Sequence, residues 1–214
     1  MRAVFILTLF TLTLKGLSQV SAGPKFQLNF SNVAGGEKDA GNKYKLGFNA
    51  GAFINIQLSD LLDFHPEMLY STRGYKLQKS IGSKDTNITH RFSYIDFPIL
   101  GIIHVGDNGF IEAGPQIGYL ANDKMKGSVV SSSVVQKVDT GNVYGFNTTE
   151  YSLVVGGGYK FNFKLSAGVR FVYGLSKIYT SGQYSHNISF GISIGYYFGG
   201  ASPSGRGGNV YKRI

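Results

Sequence analysis

Single ionisable residues set into apolar, alternating stretches are the places where this chain could do chemistry. His65, Glu67 and Arg73 share one such stretch; Asp96, Glu112, Lys160, Lys164 and Arg170 lie in four others. Their chain neighbours are mostly bulky: Phe64, Pro66 and Met68 flank His65 and Glu67, Ile95 and Phe97 flank Asp96, and Val169 and Phe171 flank Arg170. A charge removed from water is costly unless it is paired, so these eight groups are expected to converge on one interior. Converged, they form either a gated polar passage or proton-linked site, or a static salt-bridge network that fills the space. A narrow interior favours the static network.

Catalytic and metal chemistry find less support. The 214 residues include 4 His and no Cys, so thiol nucleophiles, redox pairs and thiolate metal sites are absent. No two His have the spacing of a metal site, and neither a metal nor another cofactor is expected. His90 with Ser93, and His186 with Ser189, are the nearest approach to a base and nucleophile. Residues three apart on a strand point to opposite faces, so neither pair can act within its strand. Gly156, Gly157 and Gly158 have no following helix or Lys of a phosphate loop.

The elements that must position these groups are strands. Ile188, Phe190, Ile192, Ile194, Tyr196 and Phe198 alternate with Asn187, Ser189, Gly191, Ser193, Gly195 and Tyr197. Only a strand puts every second residue on one face. The same period runs through 46–58, 151–161 and 165–175, and more weakly through 25–33, 62–77, 91–104 and 110–121, giving eight strands. Several exceed ten residues, about what a tilted strand needs to cross a bilayer. The small face is Gly, Ser and Asn rather than Lys and Glu, and the charged fraction is 15%, against about 25% in soluble domains. A soluble exported β-domain would carry more charge on the face that meets water. Long strands in lipid must close on themselves to pair every backbone group. The reading is therefore all-β: an eight-stranded antiparallel transmembrane β-barrel, up-and-down, with both termini periplasmic.

The connections alternate. Long ones are expected at 34–43, 78–90, 122–148 and 176–184, and short ones at 59–61, 105–109 and 162. Long external loops and short periplasmic turns are the habit of outer-membrane barrels. Residues 1–22 read as a secretory signal peptide: Arg2, an uncharged run from Ala3 to Leu14, then small residues with cleavage after Ala22 or Ser18. Residues 23–198 form the barrel, and 199–214 a flexible basic periplasmic tail. The formal charge is +9, and +7 without Arg2 and Lys15. Export argues against nucleic acid as the partner of that charge. Lys124, Lys126 and Lys137 in the longest external loop are candidates for lipopolysaccharide phosphates or partners. Arg206, Tyr211, Lys212 and Arg213 make the tail a candidate partner-binding segment.

The stretches 64–74, 94–100, 110–115, 156–159 and 170–175 (FHPEMLYSTRG, YIDFPIL, FIEAGP, GGGY and RFVYGL) resemble the PorT-type outer-membrane β-barrel family of Bacteroidetes. The resemblance covers about 25–198 and implies an eight-stranded barrel in the outer membrane of a diderm bacterium, with a link to type IX protein secretion. Relatives end near position 198, whereas this chain continues with GGASPSGRGGNVYKRI. The expected function is that of a non-enzymatic structural or accessory subunit of an envelope complex, in secretion or outer-membrane protein assembly. Its partners would be outer-membrane lipid, lipopolysaccharide and other envelope proteins. A stand-alone narrow pore, a loop-mediated adhesin and a lipid A-modifying enzyme are the alternatives.

Overall fold

One face of each strand is apolar and the other small and polar, and in a ring closed around the polar faces the apolar ones turn outward, toward lipid. The computed structural model describes residues 19–35, 42–82, 84–131, 134–141, 145–161, 164–180 and 185–199. Among them are ten strands: β1 (Val20–Ala34), β2 (Asn42–Gln57), β3 (Leu62–Ile81), β4 (Lys84–Val105), β5 (Gly109–Ser131), β6 (Val134–Gly141), β7 (Thr149–Lys160), β8 (Leu165–Gly174), β9 (His186–Tyr196) and β10 (Phe198–Gly199). Every pairing is antiparallel. The order runs β1-β2-β3-β4-β5-β7-β8-β9, and β9 returns to β1 from Lys25↔Gly195 to Ala34↔His186. This is a closed barrel of eight strands, with no free edge inside the ring. The two-residue β10 continues β9 and pairs with β1 at Ala22↔Phe198.

The faces sort as the alternation requires. Ile192 is 56% exposed while its neighbour Ser193 is 6% exposed and points inward. Phe26, Leu28 and Phe30 face out; Lys25, Gln27 and Asn29 face in. Tyr70, Tyr119 and Tyr151 stand exposed toward one end and Tyr159, Phe161, Tyr196 and Phe198 toward the other, as two aromatic girdles. Small residues make room in the lumen. A Cβ on Gly118 would stand 2.5 Å from Asp96 Oδ1, and one on Gly156 would stand 2.8 Å from Glu112 Oε1 and 2.6 Å from the Val169 carbonyl oxygen.

Two expectations about boundaries change. The connections expected at 78–90 and 122–148 are mostly strand. β3 and β4 stay paired out to Ile81↔Lys84, β4 and β5 out to Lys84↔Ser131, and β5 turns back into β6 at Ser131↔Val134. Among the described residues the neighbours stop earlier: β2 pairs with β3 up to Leu77, and β7 with β5 up to Tyr119↔Thr149. The outer parts of β3, β4 and β5, with β6, therefore stand beyond the barrel as one sheet. Backbone pairing, rather than apolar alternation, carries these strands outside the lipid. The first strand also begins earlier than 23, since Val20 already pairs with Ile56. Residues 1–18 of the expected 1–22 signal peptide, and the expected tail from 200, with Arg206, Tyr211, Lys212 and Arg213, lie outside the described residues.

Candidate functional site

Inward positions on β1, β3, β5 and β8 bring one cluster together. Arg170, on β8, is 1% exposed. Its Nη1 and Nη2 donate to Glu67 Oε2 and Oε1 at 2.7 and 2.9 Å, and its Nε donates to Glu112 Oε1 at 2.7 Å. Lys25 Nζ donates to Glu67 Oε1 at 2.7 Å and lies 3.7 Å from Glu112 Oε2. Two cations meet two carboxylates, and the planar guanidinium uses its fork on Glu67. His65 Nε2 lies 3.2 Å from Glu67 Oε1, with its Nδ1 2.9 Å from Asn55 Oδ1. Asn55 Nδ2 donates to Asp63 Oδ2 at 3.0 Å, and Asp63 is met by His104 Nε2 at 2.9 Å and Lys160 Nζ at 3.8 Å.

A second cluster occupies the outer half. Arg73, on β3, donates to Asp96 on β4 through Nη2 and to Glu150 Oε1 on β7 through Nη1 at 2.5 Å. Ser152 Oγ donates to Glu150 Oε1 at 2.8 Å, and Asn187 Nδ2 donates to Glu150 Oε2. The Tyr94 ring sits 4.9 Å from the Arg73 Cζ. Here one cation faces two carboxylates. Buried Leu100, Val154 and Val172 pack together in the lumen. Val154 and Val172 face each other one step beyond Arg170 and one step short of Ser152, so an apolar layer lies between the two clusters.

Both ends are stopped by aromatic packing. On the outer side Phe146 lies 4.9 Å from Phe92 and 5.4 Å from Tyr179, and the Tyr179 and Tyr75 hydroxyls are 3.1 Å apart. Ile178 completes a buried group with Val33, Tyr75, Phe92 and Tyr94. Backbone bonds hold this lid: Asn147 N–H donates to the Ile178 carbonyl at 2.7 Å, and Thr180 N–H to the Gly145 carbonyl at 2.9 Å. On the inner side Phe53 stacks on His65 at 4.7 Å and meets Tyr197 at 4.6 Å. Lys160 Nζ lies 5.2 Å from the Tyr197 ring centroid.

Seven of the eight expected lumen residues face in. They fall into two networks and the Asp63 group rather than one. Lys164 does not join them: β8 starts only at Leu165, so Lys164 sits exposed in the turn before it, its carbonyl accepting the Tyr197 N–H. Lys124, Lys126 and Lys137 are not in a loop; they lie on β5 and β6, and Lys126 stands 3.3 Å from Asp139. Sequence reasoning passed over Lys25, Asp63 and Glu150. Lys25 alternates with Phe26 and could have been found by parity; Glu150 needed the β5–β7 register. His90 stacks on Tyr75 at 4.6 Å, and Ser93 is on the opposite face of β4. Among the described residues no three His, Asp or Glu are placed to hold a metal ion.

A closed eight-stranded ring with an apolar outer face and a filled polar lumen defines a bacterial outer-membrane β-barrel. Residues 15–180 match the model of the outer membrane protein beta-barrel domain, and the chain belongs to that family. It is accordingly a protein of the outer membrane. No curated protein matches the sequence. Among solved structures it is similar to Ail, the attachment invasion locus protein of Yersinia pestis, in complex with the heparin analogue sucrose octasulfate, at 14% identity and a TM-score of 0.47, covering 84% of this chain and 99% of that one. Neisserial surface protein A gives 14% identity and a TM-score of 0.46, covering 85% and 98%. OprG from Pseudomonas aeruginosa gives 11% and 0.36, covering 84% and 95%.

Proposed function

We propose that this barrel is a non-conducting, non-enzymatic docking subunit, and that it works through the sheet standing beyond the membrane. One observation carries the reading. The ring of strands has no free edge, but β6 pairs with β5 alone among the described strands. Its residues are almost all exposed, with Val134 at 61% and Val135 at 59%. An open edge offers a row of unpaired N–H and C=O groups to an extended segment of a second protein. The lumen supports the same reading from the other side. It is filled by paired charges and closed at both ends by packed rings, so the interior is spent on holding the barrel rather than on passing a solute. The resemblance of 64–74, 94–100 and 110–115 to the PorT-type family supports secretion, type IX included, or outer-membrane protein assembly as the setting for such a partner.

The chain has no Cys, so Gln136→Cys on β6 introduces a unique thiol. Cross-linking from that thiol in intact cells is expected to trap one protein partner, and a Cys placed on the lipid face at Ile192 is expected to trap none. Equal yields at the two positions would overturn the reading.

A further inference from the structure

Among the described residues the positive charge is not spread evenly over the surface. In the lumen, cations meet their carboxylates. On the outer parts of β2 to β6 the described residues include nine cations, Lys43, Lys45, Lys76, Lys79, Lys84, Arg91, Lys124, Lys126 and Lys137, against three carboxylates, Asp85, Asp123 and Asp139. The register sets several of these cations against one another. Arg91 lies directly opposite Lys124, and Lys43 directly opposite Lys76. Lys76 is opposite Thr89, which is opposite Lys126. Lys45 lies within the electrostatic reach of Arg91 and Lys76. Among the described residues only Lys126 of this group forms a salt bridge, to Asp139 at 3.3 Å. Like charges placed directly opposite on a sheet destabilise it, so two such pairs side by side mark a surface built to meet an anion.

The height of the strip says which anion. On β3 and β4, Gly74, Lys76 and Arg91 share the face of lipid-facing Tyr70 and Phe97, because the β3–β4 register runs unbroken from Leu69↔Asp96 to Ile81↔Lys84. Arg91 stands four residues beyond Ile95, the partner of Tyr70 in the outer girdle. Four residues is about 13 Å along a strand, or about 10 Å of height at the usual tilt. Long Lys and Arg stems reach down from there to the phosphate layer. We infer that Lys43, Lys76, Arg91 and Lys124 form a strand-built site for the phosphates of an outer-leaflet glycolipid, with the Arg91 guanidinium supplying the two-pronged contact. The site is on the outward face of β2 to β5, one strand in from the free edge of β6, since Lys124 lies opposite Gly141, and stands whether or not a protein docks there.

The test is to fold the full barrel into phosphatidylcholine vesicles containing either bisphosphorylated or dephosphorylated lipid A. The lipid A retained per barrel is counted after mild-detergent extraction. Wild type is expected to retain the phosphorylated lipid and release the dephosphorylated one. Arg91→Gln with Lys124→Gln is expected to retain about tenfold less, as is Lys43→Gln with Lys76→Gln. Lys79→Gln with Lys84→Gln, which removes the same charge from the opposite face of the sheet, is expected to retain the wild-type amount. Heat-modifiable migration confirms that each variant has folded. Equal retention of dephosphorylated lipid A, or an equal loss in the Lys79/Lys84 variant, would overturn the site, as would unchanged retention in both rim variants.

Discussion

Arg170 and Glu67 are 103 residues apart in the chain and are joined across the lumen by two parallel hydrogen bonds of 2.7 and 2.9 Å. The pair ties β8 to β3, strands that are not neighbours in the sheet order. Arg170→Met is predicted to leave Glu67 and Glu112 sharing Lys25, with only the His65 ring also beside Glu67, and to destabilise the barrel by about 3–5 kcal/mol. Urea titration of the folded, heat-modifiable band in liposomes measures this. Adding Glu67→Gln to Arg170→Met is predicted to recover part of the loss, because it removes the stranded charge.

The outer cluster answers differently because its charges do not balance. Arg73 faces both Asp96 and Glu150. Arg73→Gln is predicted to cost about 3–5 kcal/mol, since it strands two buried carboxylates. Glu150→Gln keeps one oxygen acceptor for Arg73 and Ser152 and removes the surplus negative charge; its new NH2 faces Asn187, whose amide must turn to present its unpartnered Oδ1, and the change is predicted to cost under about 1 kcal/mol. Comparable losses in the two variants, by the same urea titration, would contradict the charge count.

Lipid-facing and lumen-facing neighbours should part company on β9. Ile192→Arg is predicted to destabilise insertion by about 2–4 kcal/mol, because its side chain faces the bilayer. Ser193→Arg tests lumen packing instead, since Ser193 is 6% exposed inside the ring. Equal folding yields at both positions would contradict the alternation of faces.

Sealing can be tested on the outer lid. Phe146→Ala with Ile178→Ala removes side chains from the aromatic group over the mouth. It is predicted to speed hydrogen exchange at Tyr94 and Asn187 while producing no stepwise conductance in planar bilayers, because the apolar layer of Leu100, Val154 and Val172 still lies below. Conductance steps in this variant would mean that the lid alone closes the barrel.

How much of this was legible in the sequence depends on where a residue sits. Along 187–198 lipid on one side and lumen on the other impose a clean period of two, so the strand, its faces and its place in a barrel can be read directly. Along 78–90 both faces meet water: Gln78, Lys79 and Ser80, and Thr86 and Asn87, are polar on either side, and strand looks like loop. The projecting sheet was hidden for that reason, and with it the true setting of Lys124, Lys126 and Lys137. Parity placed His65, Glu67, Asp96, Glu112 and Arg170 inside. It failed at Lys164, where the strand had not yet begun. Parity also cannot say which charges meet; the grouping of Arg73 with Glu150, and of Lys25 with Glu67, depends on register between strands far apart in the chain.

The proposed docking of a protein partner along β6 is read most directly from the native mass of the tagged protein extracted from outer membranes in mild detergent. The account predicts a stoichiometric complex for the wild type. It predicts the lone, heat-modifiable barrel for a variant with Gln136→Pro and Lys137→Pro, which removes N–H groups from the edge strand. A wild-type protein that runs as a lone barrel, or a complex that survives both prolines unchanged, would contradict it.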